Sequence, residues 1–258
     1  MITAGIDIGH QSVNVALLDD AGITGHATFV IAGEVGAAAK MAFEGALEQH
    51  RMKPKDIDRI FATGVGREKV AFAHGHKTEM LSHVVGAHSV FPSVRTVIDI
   101  GAEGSRILRS DAKGNLSNFV LNDKCASGAG VFLETVAGML DLQVSEIGPI
   151  SLRSSRKLVL TTTCAVFAES EIVAEIHRGS AREDILAGVN ESIVSKVVSI
   201  SRRVGVEPDV VLTGGVARNV GIVEAFARQL GLKVKVPDRP EITGAVGAAI
   251  LARNSTGE

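Results

Sequence analysis

The chain has 258 residues, and its 27 Lys and Arg against 29 Asp and Glu give a formal net charge of -2 at pH 7. This length fits one large domain or two domains of ordinary size. The charges form no basic stripe, and aromatic residues are only 3% of the chain with no Trp or Tyr, so the composition argues against a nucleic-acid-binding protein.

The N-terminal sequence "MITAGIDIGH" moves directly into a strand-like pattern and lacks the basic start of a signal peptide. No apolar run in the sequence approaches the roughly 20 residues that cross a bilayer. We therefore expect a cytoplasmic protein with no membrane partner, in which the two cysteines stay reduced.

The stretch "AGIDIGHQSVNVALLDDAG" predicts a strand, a tight turn and a returning strand, because an apolar run breaks at Gly9 and resumes with alternating apolar residues. The same pattern returns in "VIDIGAEGSRILRSDAKG", and the two Ile-Asp-Ile-Gly tetrapeptides lie 92 residues apart. Two later strand patterns end alike, at Thr63-Gly64 and Thr213-Gly214. The repetition predicts two duplicated units with a cleft between them.

Helical periodicity fills the intervals between the strands, at residues 34–50, 131–140, 164–177, 185–204 and 216–230. Strands that alternate with helices predict an α/β fold with sheets covered on both faces. We expect a first domain at 1–93 and a second at 94–240. A return of the final helix, 241–254, to the first domain is open at this point.

The Asp residues of the repeated tetrapeptides, Asp7 and Asp99, end their strands and are expected to face the cleft. Two facing carboxylates suit Mg²⁺, which binds through one or two carboxylates plus water and substrate phosphates. The sequence has no P-loop, and no dinucleotide fingerprint follows its first strand. Short glycine turns remain, at Gly9, Gly101 and Gly214-Gly215, whose backbone N–H groups approach phosphate oxygens closely in such sites.

This arrangement resembles the actin-like ATPase superfamily, in which two duplicated ribonuclease-H-like α/β domains close on Mg-ATP. The resemblance implies phosphate or Mg²⁺ positions at Asp7, Gly9, Ser12, Asp99 and Gly101. It also implies adenosine-side positions in "LTGGVARN", at Gly214, Gly215 and Asn219.

The two cysteines, Cys125 in "NDKCASGAG" and Cys164 in "TTTCAVFAESE", have similar settings, with polar residues before the thiol and a helical pattern after it. A lone buried Cys is often a small hydrophobic core residue, and this interpretation is open for both. They are 39 positions apart with no Cys-x-x-Cys, so one chain cannot supply a four-cysteine metal site. A two-fold dimer has four thiolates, the number that a [4Fe–4S] cluster requires.

The cysteine segments resemble those of a specific family, the ATPase components of 2-hydroxyacyl-CoA dehydratase and ATP-dependent benzoyl-CoA reductase systems. "NDKCASGAGVFLE" and "CAVFAESEIV" are similar to its two cluster-ligand motifs, and "ATGVGR", "LTGGVARN" and "TGAVGAA" also occur in the family's order. The resemblance implies an anaerobic ATPase dimer that holds one [4Fe–4S] cluster between its subunits through Cys125 and Cys164. It also implies ATP-driven transfer of single electrons to an iron–sulfur dehydratase or reductase, with reduced ferredoxin or flavodoxin as the electron source.

Both phosphate hairpins depart from that family. The first commonly reads G-S-T-T-T-K and the second D-I-G-G-Q-D-S-K, whereas this chain has "GHQSVN", without the Lys, and "DIGAEGSR". Glu103 is the nearest candidate to replace the missing acidic residue, so we predict a catalytic role for it beside Asp7 and Asp99. The second turn is closer to the small ATPase subunit of benzoyl-CoA reductases, which leaves both a homodimer and a heterodimer with a related subunit open.

Two other functions stay open from the sequence. One is a small-molecule kinase of the same fold, and the other is a nucleotide-gated scaffold or polymerising actin-like protein. The histidines His74, His76, His83 and His88 are interpreted as surface or satisfied core residues rather than as a metal cluster. No motif identifies the acyl-CoA substrate or the final electron acceptor.

Overall fold

The computed structural model of the chain describes residues 1–122, 130–156, 158–160 and 165–255. Within these ranges the strands form two five-stranded sheets. The first has the order β3-β2-β1-β4-β5, with β1 (Thr3–Ile8), β2 (Ser12–Asp19), β3 (Gly22–Val30), β4 (Arg59–Gly64) and β5 (Gly75–His76). The second has the order β10-β9-β6-β7-β8, with β6 (Thr96–Ile100), β7 (Ser105–Ser110), β8 (Leu116–Asn122), β9 (Val210–Thr213) and β10 (Val234–Lys235).

The helices of the described ranges cover both sheets. They are α1 (Val35–Gln49), α2 (Glu79–Val90), α3 (Gly130–Met139), α4 (Val144–Ser151), α5 (Ala165–His177), α6 (Arg182–Ser201), α7 (Val220–Leu230) and α8 (Thr243–Asn254). No helix in these ranges combines the length and the apolar composition that crossing a membrane requires.

The two sheets share one plan. In each, three consecutive strands form an antiparallel meander, and two later strands add in parallel beside the first strand of the meander. The correspondence extends to single residues, because Asp7 pairs with Thr63 in the first sheet as Asp99 pairs with Thr213 in the second. The predicted α/β fold of two duplicated units is therefore confirmed.

Alternating apolar residues explain why each hairpin folds onto a core. Ile6 and Ile8 of β1 are fully buried and belong to one apolar cluster with Phe43 of α1. In the second unit Phe132 of α3 and Phe226 of α7 are buried in a larger cluster. Burying each such side chain contributes roughly 1.5–3 kcal/mol relative to leaving it exposed. Each sheet thus has its own apolar core.

Helix α8 packs against β1, β2, β4 and α2 through small residues. A Cβ on Gly5 of β1 would lie 1.9 Å from the carbonyl oxygen of Ala245, and a Cβ on Gly247 would lie 1.8 Å from that of Ser82. Glycine is needed where backbones approach this closely. The C-terminal helix thus lies on the first sheet, while the boundary between residues 1–93 and 94–240 stays a prediction.

Capping decides where helix α7 begins. The helical pattern predicts a start at residue 216, but Gly215–Arg218 form a 3-10 turn and the α-helix starts at Val220. The side chain of Asn219 accepts hydrogen bonds from the N–H groups of Gly221 and Ile222, which makes it the N-cap. Such a cap satisfies backbone donors that the first turn leaves without helical partners.

Candidate functional site

The carboxylates of Asp7 and Asp99 lie at equivalent ends of the two central strands. Both are buried, with 8% and 2% of each residue exposed. Thr213 donates a hydrogen bond from Oγ1 to Asp99 Oδ1 at 3.2 Å. The duplicated fold therefore brings one acidic residue from each unit to the same region, as the sequence predicts.

Gly64 and Gly214 make room for these carboxylates. Their φ angles are +85° and +82°, in the region that favours glycine. A Cβ on Gly64 would lie 2.5 Å from Asp7 Oδ1, and a Cβ on Gly214 would lie 2.7 Å from Asp99 Oδ1. Each Thr-Gly strand end is thus shaped to hold the backbone against an acidic side chain.

A cavity of about 740 Å³ opens between the two units at these carboxylates. The predicted site residues that line it are Asp7, Gly9, Ser12, Asp99, Gly101, Glu103, Gly214, Gly215 and Asn219. The structure thus brings together the predicted phosphate and adenosine positions in one cleft. A second cavity of about 970 Å³, beside α6 and α7, is lined by none of them.

His83 of α2 lies between the two carboxylates. Its Nδ1 is 3.4 Å from Asp99 Oδ1 and 3.2 Å from Thr213 Oγ1, and its Nε2 is 3.8 Å from Asp7 Oδ2. From the sequence, this histidine is interpreted as a surface or satisfied core residue, and its position between the two carboxylates is not predicted. The one signal in the sequence is a titratable residue beside apolar neighbours such as Val84, which alone does not indicate a site.

Arg106 supplies a buried cation at the same place. Its Nη1 is 3.0 Å from Asp99 Oδ2, and its Nε is 2.8 Å from Glu79 Oε1. Asp99 pairs with Arg106 across β6 and β7, whereas the equivalent partner of Asp7 across β1 and β2 is the uncharged Asn14. Asp99 is therefore paired with a permanent positive charge, and Asp7 faces the less basic imidazole of His83.

Burial raises the pKa of Asp7 from 3.8 to about 6, because the protein interior disfavours the charged carboxylate. The positive charge of His83 acts in the opposite direction, and the negative charge of Asp99 adds to the increase. A divalent cation beside Asp7 would offset this cost by favouring the ionised form.

The turns of the two hairpins meet across the mouth of the cleft. His10 Nε2 lies 3.4 Å from Glu103 Oε2, which joins the first turn to the second. Gln11 donates a hydrogen bond from Nε2 to Glu134 Oε2 of α3 at 2.8 Å. The predicted catalytic residue Glu103 therefore faces a histidine of the other unit.

Asn219 lines the cleft, but its amide also has internal partners. Its Oδ1 caps α7, and its Nδ2 donates to Oδ1 of the buried Asn190 at 3.1 Å. The structure thus gives Asn219 a capping role, and contact with adenosine stays a prediction for this residue.

The two cysteines, Cys125 and Cys164, lie outside the described residues. The helices that follow them are described: α3 begins at Gly130 and α5 at Ala165. The N–H groups of Gly130 and Val131 donate to the carbonyl oxygens of Gly101 and Ala102, each at 2.9 Å. The start of α3 is therefore hydrogen-bonded to the glycine turn that lines the cleft. Among the described residues, no three His, Cys, Asp or Glu side chains converge as a set of metal ligands.

Relatives of known name match nearly the whole chain. The 2-hydroxyisocaproyl-CoA dehydratase activator of Clostridioides difficile is 37% identical over 98% of this chain and 95% of its own length. The (R)-2-hydroxyglutaryl-CoA dehydratase activating ATPase of Acidaminococcus fermentans is 35% identical over 97% of this chain and 96% of its own length. A benzoyl-CoA reductase subunit of Thauera aromatica is 34% identical over 96% and 92%. These relatives include both activators of dehydratases and a component of a reductase.

Solved structures agree with the fold. The activator of the 2-hydroxyisocaproyl-CoA dehydratase from Clostridium difficile with bound ADPNP superposes with a TM-score of 0.94 at 37% identity, covering 98% of this chain and 95% of that one. A ROK family glucokinase from Streptomyces griseus is 13% identical with a TM-score of 0.61, covering 99% and 100%, a likeness of fold alone. The predicted actin-like architecture is confirmed. The model of the BadF/BadG/BcrA/BcrD ATPase family matches residues 4–252, and the chain therefore belongs to that family.

Proposed function

We propose that this chain is an ATP-hydrolysing electron donor, which binds Mg-ATP in the cleft and drives single electrons into an iron–sulfur acyl-CoA dehydratase or reductase. The main support for the proposal is the pair of backbone hydrogen bonds from the N–H groups of Gly130 and Val131 to the carbonyl oxygens of Gly101 and Ala102. Helix α3 begins five positions after Cys125, so a nucleotide that shifts this turn also acts on the segment that carries a cysteine.

The relatives support the same activity. Two of them are named as an activator and an activating ATPase of 2-hydroxyacyl-CoA dehydratases, and a third as a subunit of benzoyl-CoA reductase. Their similarity extends along nearly all of this chain, so it includes the cleft and both cysteine segments. An acyl-CoA dehydratase or reductase is the shared element of these names, and we propose such an enzyme as the partner that receives the electrons.

The residues of the cleft fit Mg-ATP. Asp7 and Asp99 supply carboxylate oxygens, which are hard ligands. Arg106 forms ion pairs with Asp99 and Glu79, whereas Asp7 lies 3.8 Å from the imidazole of His83. Mg²⁺ is usually held by one or two carboxylates together with water and substrate phosphates. We assign Asp7 to the Mg²⁺ side and Asp99 to orientation of the phosphate turn. Bound Mg²⁺ supplies charge stabilisation for phosphoryl transfer.

The turns and Glu103 complete the site. Gly9, Ser12 and Gly101 line the side of the cavity that we assign to phosphate, and Gly214-Gly215 line the side that we assign to adenosine. The N–H groups of Gly9 and Gly101 donate within their own turns, to Ser12 O and Gly104 O, each at 2.9 Å. Glu103 lines the cavity opposite His10 and is the group we assign to positioning the attacking water. Orientation of the nucleophile is one of the main contributions that a protein makes to phosphoryl transfer.

The donor chemistry also fits an iron–sulfur cluster. Each chain has two cysteines, both within residues 94–240; α3 begins at Gly130, five positions after Cys125, and α5 begins at Ala165, the residue after Cys164. Thiolates are the ligands of [4Fe–4S] clusters, and helix N-termini stabilise nearby negative charge. We assign Cys125 and Cys164 as the ligands of one chain. When bound, such a cluster supplies one-electron redox chemistry at low potential.

Four thiolates require a second chain, either another copy or a related ATPase subunit. The apolar side chains of Phe167 and Val173 on α5 are 63% and 42% exposed, which supports contact with another protein near Cys164. Reduced ferredoxin or flavodoxin is the electron source in this proposal. The acyl-CoA enzyme is the acceptor.

Anaerobic purification of the wild type, C125S, C164S and the surface control S170A tests the assignment. We expect about four iron atoms per dimer and a reduced-cluster EPR signal in wild type and S170A only. ATP hydrolysis should drive reduction of an added acyl-CoA dehydratase or reductase in those two proteins. A full cluster in the double variant C125A/C164A would rule out the assignment.

The same preparations separate this function from a kinase. ATP turnover by the electron donor forms ADP and phosphate and needs no added metabolite. Turnover that requires a metabolite, and leaves a phosphorylated product, would replace the proposal with a small-molecule kinase.

A further inference from the structure

His83 contacts one acidic side chain from each unit. Its Nδ1 lies 3.4 Å from Asp99 Oδ1, and its Nε2 lies 3.8 Å from Asp7 Oδ2. Only 5% of the surface of His83 is exposed, so bulk water does not screen its contacts with the two carboxylates. One imidazole therefore connects the two carboxylates that the duplicated strands present.

The helix that carries His83 is closely fitted to its neighbour α8. A Cβ on Gly247 would lie 1.8 Å from Ser82 O, and a Cβ on Gly86 would lie 2.1 Å from Thr243 O. A Cβ on Gly244 would lie 2.9 Å from His83 Nε2 and 2.3 Å from Asp7 Oδ2. Glycines thus fix α2 against α8 and leave space where the imidazole meets Asp7.

The charges around His83 come from four elements. Asp7 (β1) and Asp99 (β6) contact the ring, while Arg106 (β7) contacts Asp99 and Glu79 (α2). Asp99 is therefore oriented from two sides, by Arg106 and by the ring. Asp7 Oδ2 lies 3.8 Å from Nε2 of the same ring.

We infer that His83 is a positioning residue of the nucleotide site: it fixes the separation of Asp7 and Asp99, and through Asp7 it sets the affinity for Mg²⁺ bound with nucleotide. The inference rests on the proposed binding of Mg-nucleotide in the cleft. A carboxylate that a neighbouring side chain already holds in place loses less conformational freedom when it binds a metal ion. His83 holds Asp7 in this way.

Three variants separate the two contacts. In H83N the amide reaches about as far as Nδ1, so the Asp99 side of the contact is kept. In H83Q the amide reaches about as far as Nε2, so the Asp7 side is kept. H83A removes both contacts. S82A is the matched control, because Ser82 is equally buried on α2 and, among the described residues, its hydroxyl has no hydrogen-bond partner.

Titration calorimetry of ADP at increasing Mg²⁺ concentration is the measurement. Loss of a residue that orients a metal ligand typically costs 10–100-fold in metal affinity, so we expect the half-saturating Mg²⁺ concentration to rise at least about 10-fold in H83A and H83N. H83Q and S82A should stay within about 3-fold of wild type, and metal-free ADP affinity should change by less than about 3-fold in all of them.

The outcomes distinguish this inference from the proposed function. Wild-type Mg²⁺ dependence in H83A, or equal loss in H83N and H83Q, would overturn the role of His83 while leaving Mg-nucleotide binding intact. Wild-type protein that binds no Mg-ADP would overturn the proposed function and this inference with it. If H83A does not fold, as judged by thermal melting, the comparison of H83N with H83Q decides the question.

Discussion

Gly64 and Gly214 hold equivalent positions in the two sheets, and each lies against an acidic side chain with its backbone in the left-handed region. A Cβ on either glycine would come within 2.3 Å of a carbonyl oxygen, Ile8 O in one sheet and Ile100 O in the other. The duplication is therefore visible in steric detail as well as in topology. Both positions leave space for glycine alone, beside the carboxylates of Asp7 and Asp99.

Substitution of these glycines by alanine should weaken both folding and nucleotide binding. In G64A the new Cβ meets Ile8 O at 2.3 Å and Asp7 Oδ1 at 2.5 Å, so the strand end must move. Overpacking of this kind costs about 1–3 kcal/mol, added to the positive-φ cost of about 1 kcal/mol. Urea unfolding and ADP titration measure the two effects.

The matched control is G33A. Gly33 has a φ of +88°, but a Cβ there would have nothing within 4 Å. G33A should lose about 1 kcal/mol of unfolding free energy, from the unfavourable backbone conformation alone, and should keep its affinity for ADP. Equal destabilisation of G33A and G64A would show that the close approach to Asp7 is unimportant.

The raised pKa of Asp7 predicts a specific pH dependence of stability. Because burial raises the pKa from 3.8 to about 6, folded protein keeps a proton between these pH values that the unfolded chain has released. The stability this proton contributes is present below pH 3.8 and is lost as pH rises through about 6. The full difference between the two pKa values corresponds to about 3 kcal/mol of unfolding free energy.

D7N removes this ionisation. In metal-free buffer at pH 7 we expect D7N to be more stable than wild type by up to about 3 kcal/mol, with little difference near pH 4. Mg²⁺ and ADP should stabilise wild type but not D7N. The exposed D20N variant serves as control, and denaturant unfolding from pH 4 to 8 gives the free energies; parallel pH profiles for wild type and D7N would contradict the prediction.

The fold can be predicted from sequence because its signals are local and repeated. The tetrapeptides that contain Asp7 and Asp99 end apolar strands, and alternation after Gly9 indicates the returning strand. The same repeats indicate where the carboxylates lie, since equivalent strand ends in duplicated units face one cleft. The carboxylates and glycine turns of the site are thus readable from short segments.

The rest of the site depends on contacts between distant elements. His83 reaches Asp7 only because α2 packs against α8, and no local sequence pattern predicts that packing. The pairing of His10 with Glu103 likewise requires the relative placement of two hairpin turns. Asn219 illustrates a different difficulty: a residue next to a Gly-Gly turn suits either a ligand contact or a helix cap, and only the structure reveals the cap.

Glu103 should matter for hydrolysis more than for binding. If it positions the attacking water, E103Q lowers kcat for ATP hydrolysis by about 10²-fold, within the range for acid–base groups, and changes ADP affinity little. H10Q, which removes the imidazole that faces Glu103, should have a smaller effect in the same direction. Steady-state ATPase assays with calorimetric ADP titration separate the two parameters.

E134Q provides the control for the cleft mouth. Glu134 accepts a hydrogen bond from Gln11 across the same opening but takes no part in the proposed chemistry. Its variant should keep kcat within about 3-fold of wild type, since loss of one exposed contact costs on the order of 1 kcal/mol or less. A kcat for E103Q equal to that of E134Q would mean that Glu103 only joins the two turns.

Asp184 anchors the chain segment that leads toward Cys164. Its Oδ1 accepts hydrogen bonds from Ser154 Oγ at 2.8 Å, from Ser155 N–H at 3.2 Å and from Arg156 N–H at 3.1 Å. The hydrogen bond from Ser154 is the main cause of a pKa below the usual range of this carboxyl. The contribution of Asp184 to stability is therefore present above pH 3.8 and is lost as pH falls through the lower folded-state pKa.

D184A removes all three contacts and should release the turn at residues 154–156 without altering the cleft. We expect faster proteolytic cleavage near Arg156 and reduced iron content after anaerobic purification, with ADP affinity within about 2-fold of wild type, because Asp184 does not line the nucleotide cavity. S154A, which removes one donor, should lie between D184A and wild type. Normal iron content in D184A with rapid cleavage at Arg156 would mean that this turn does not influence the segment of Cys164.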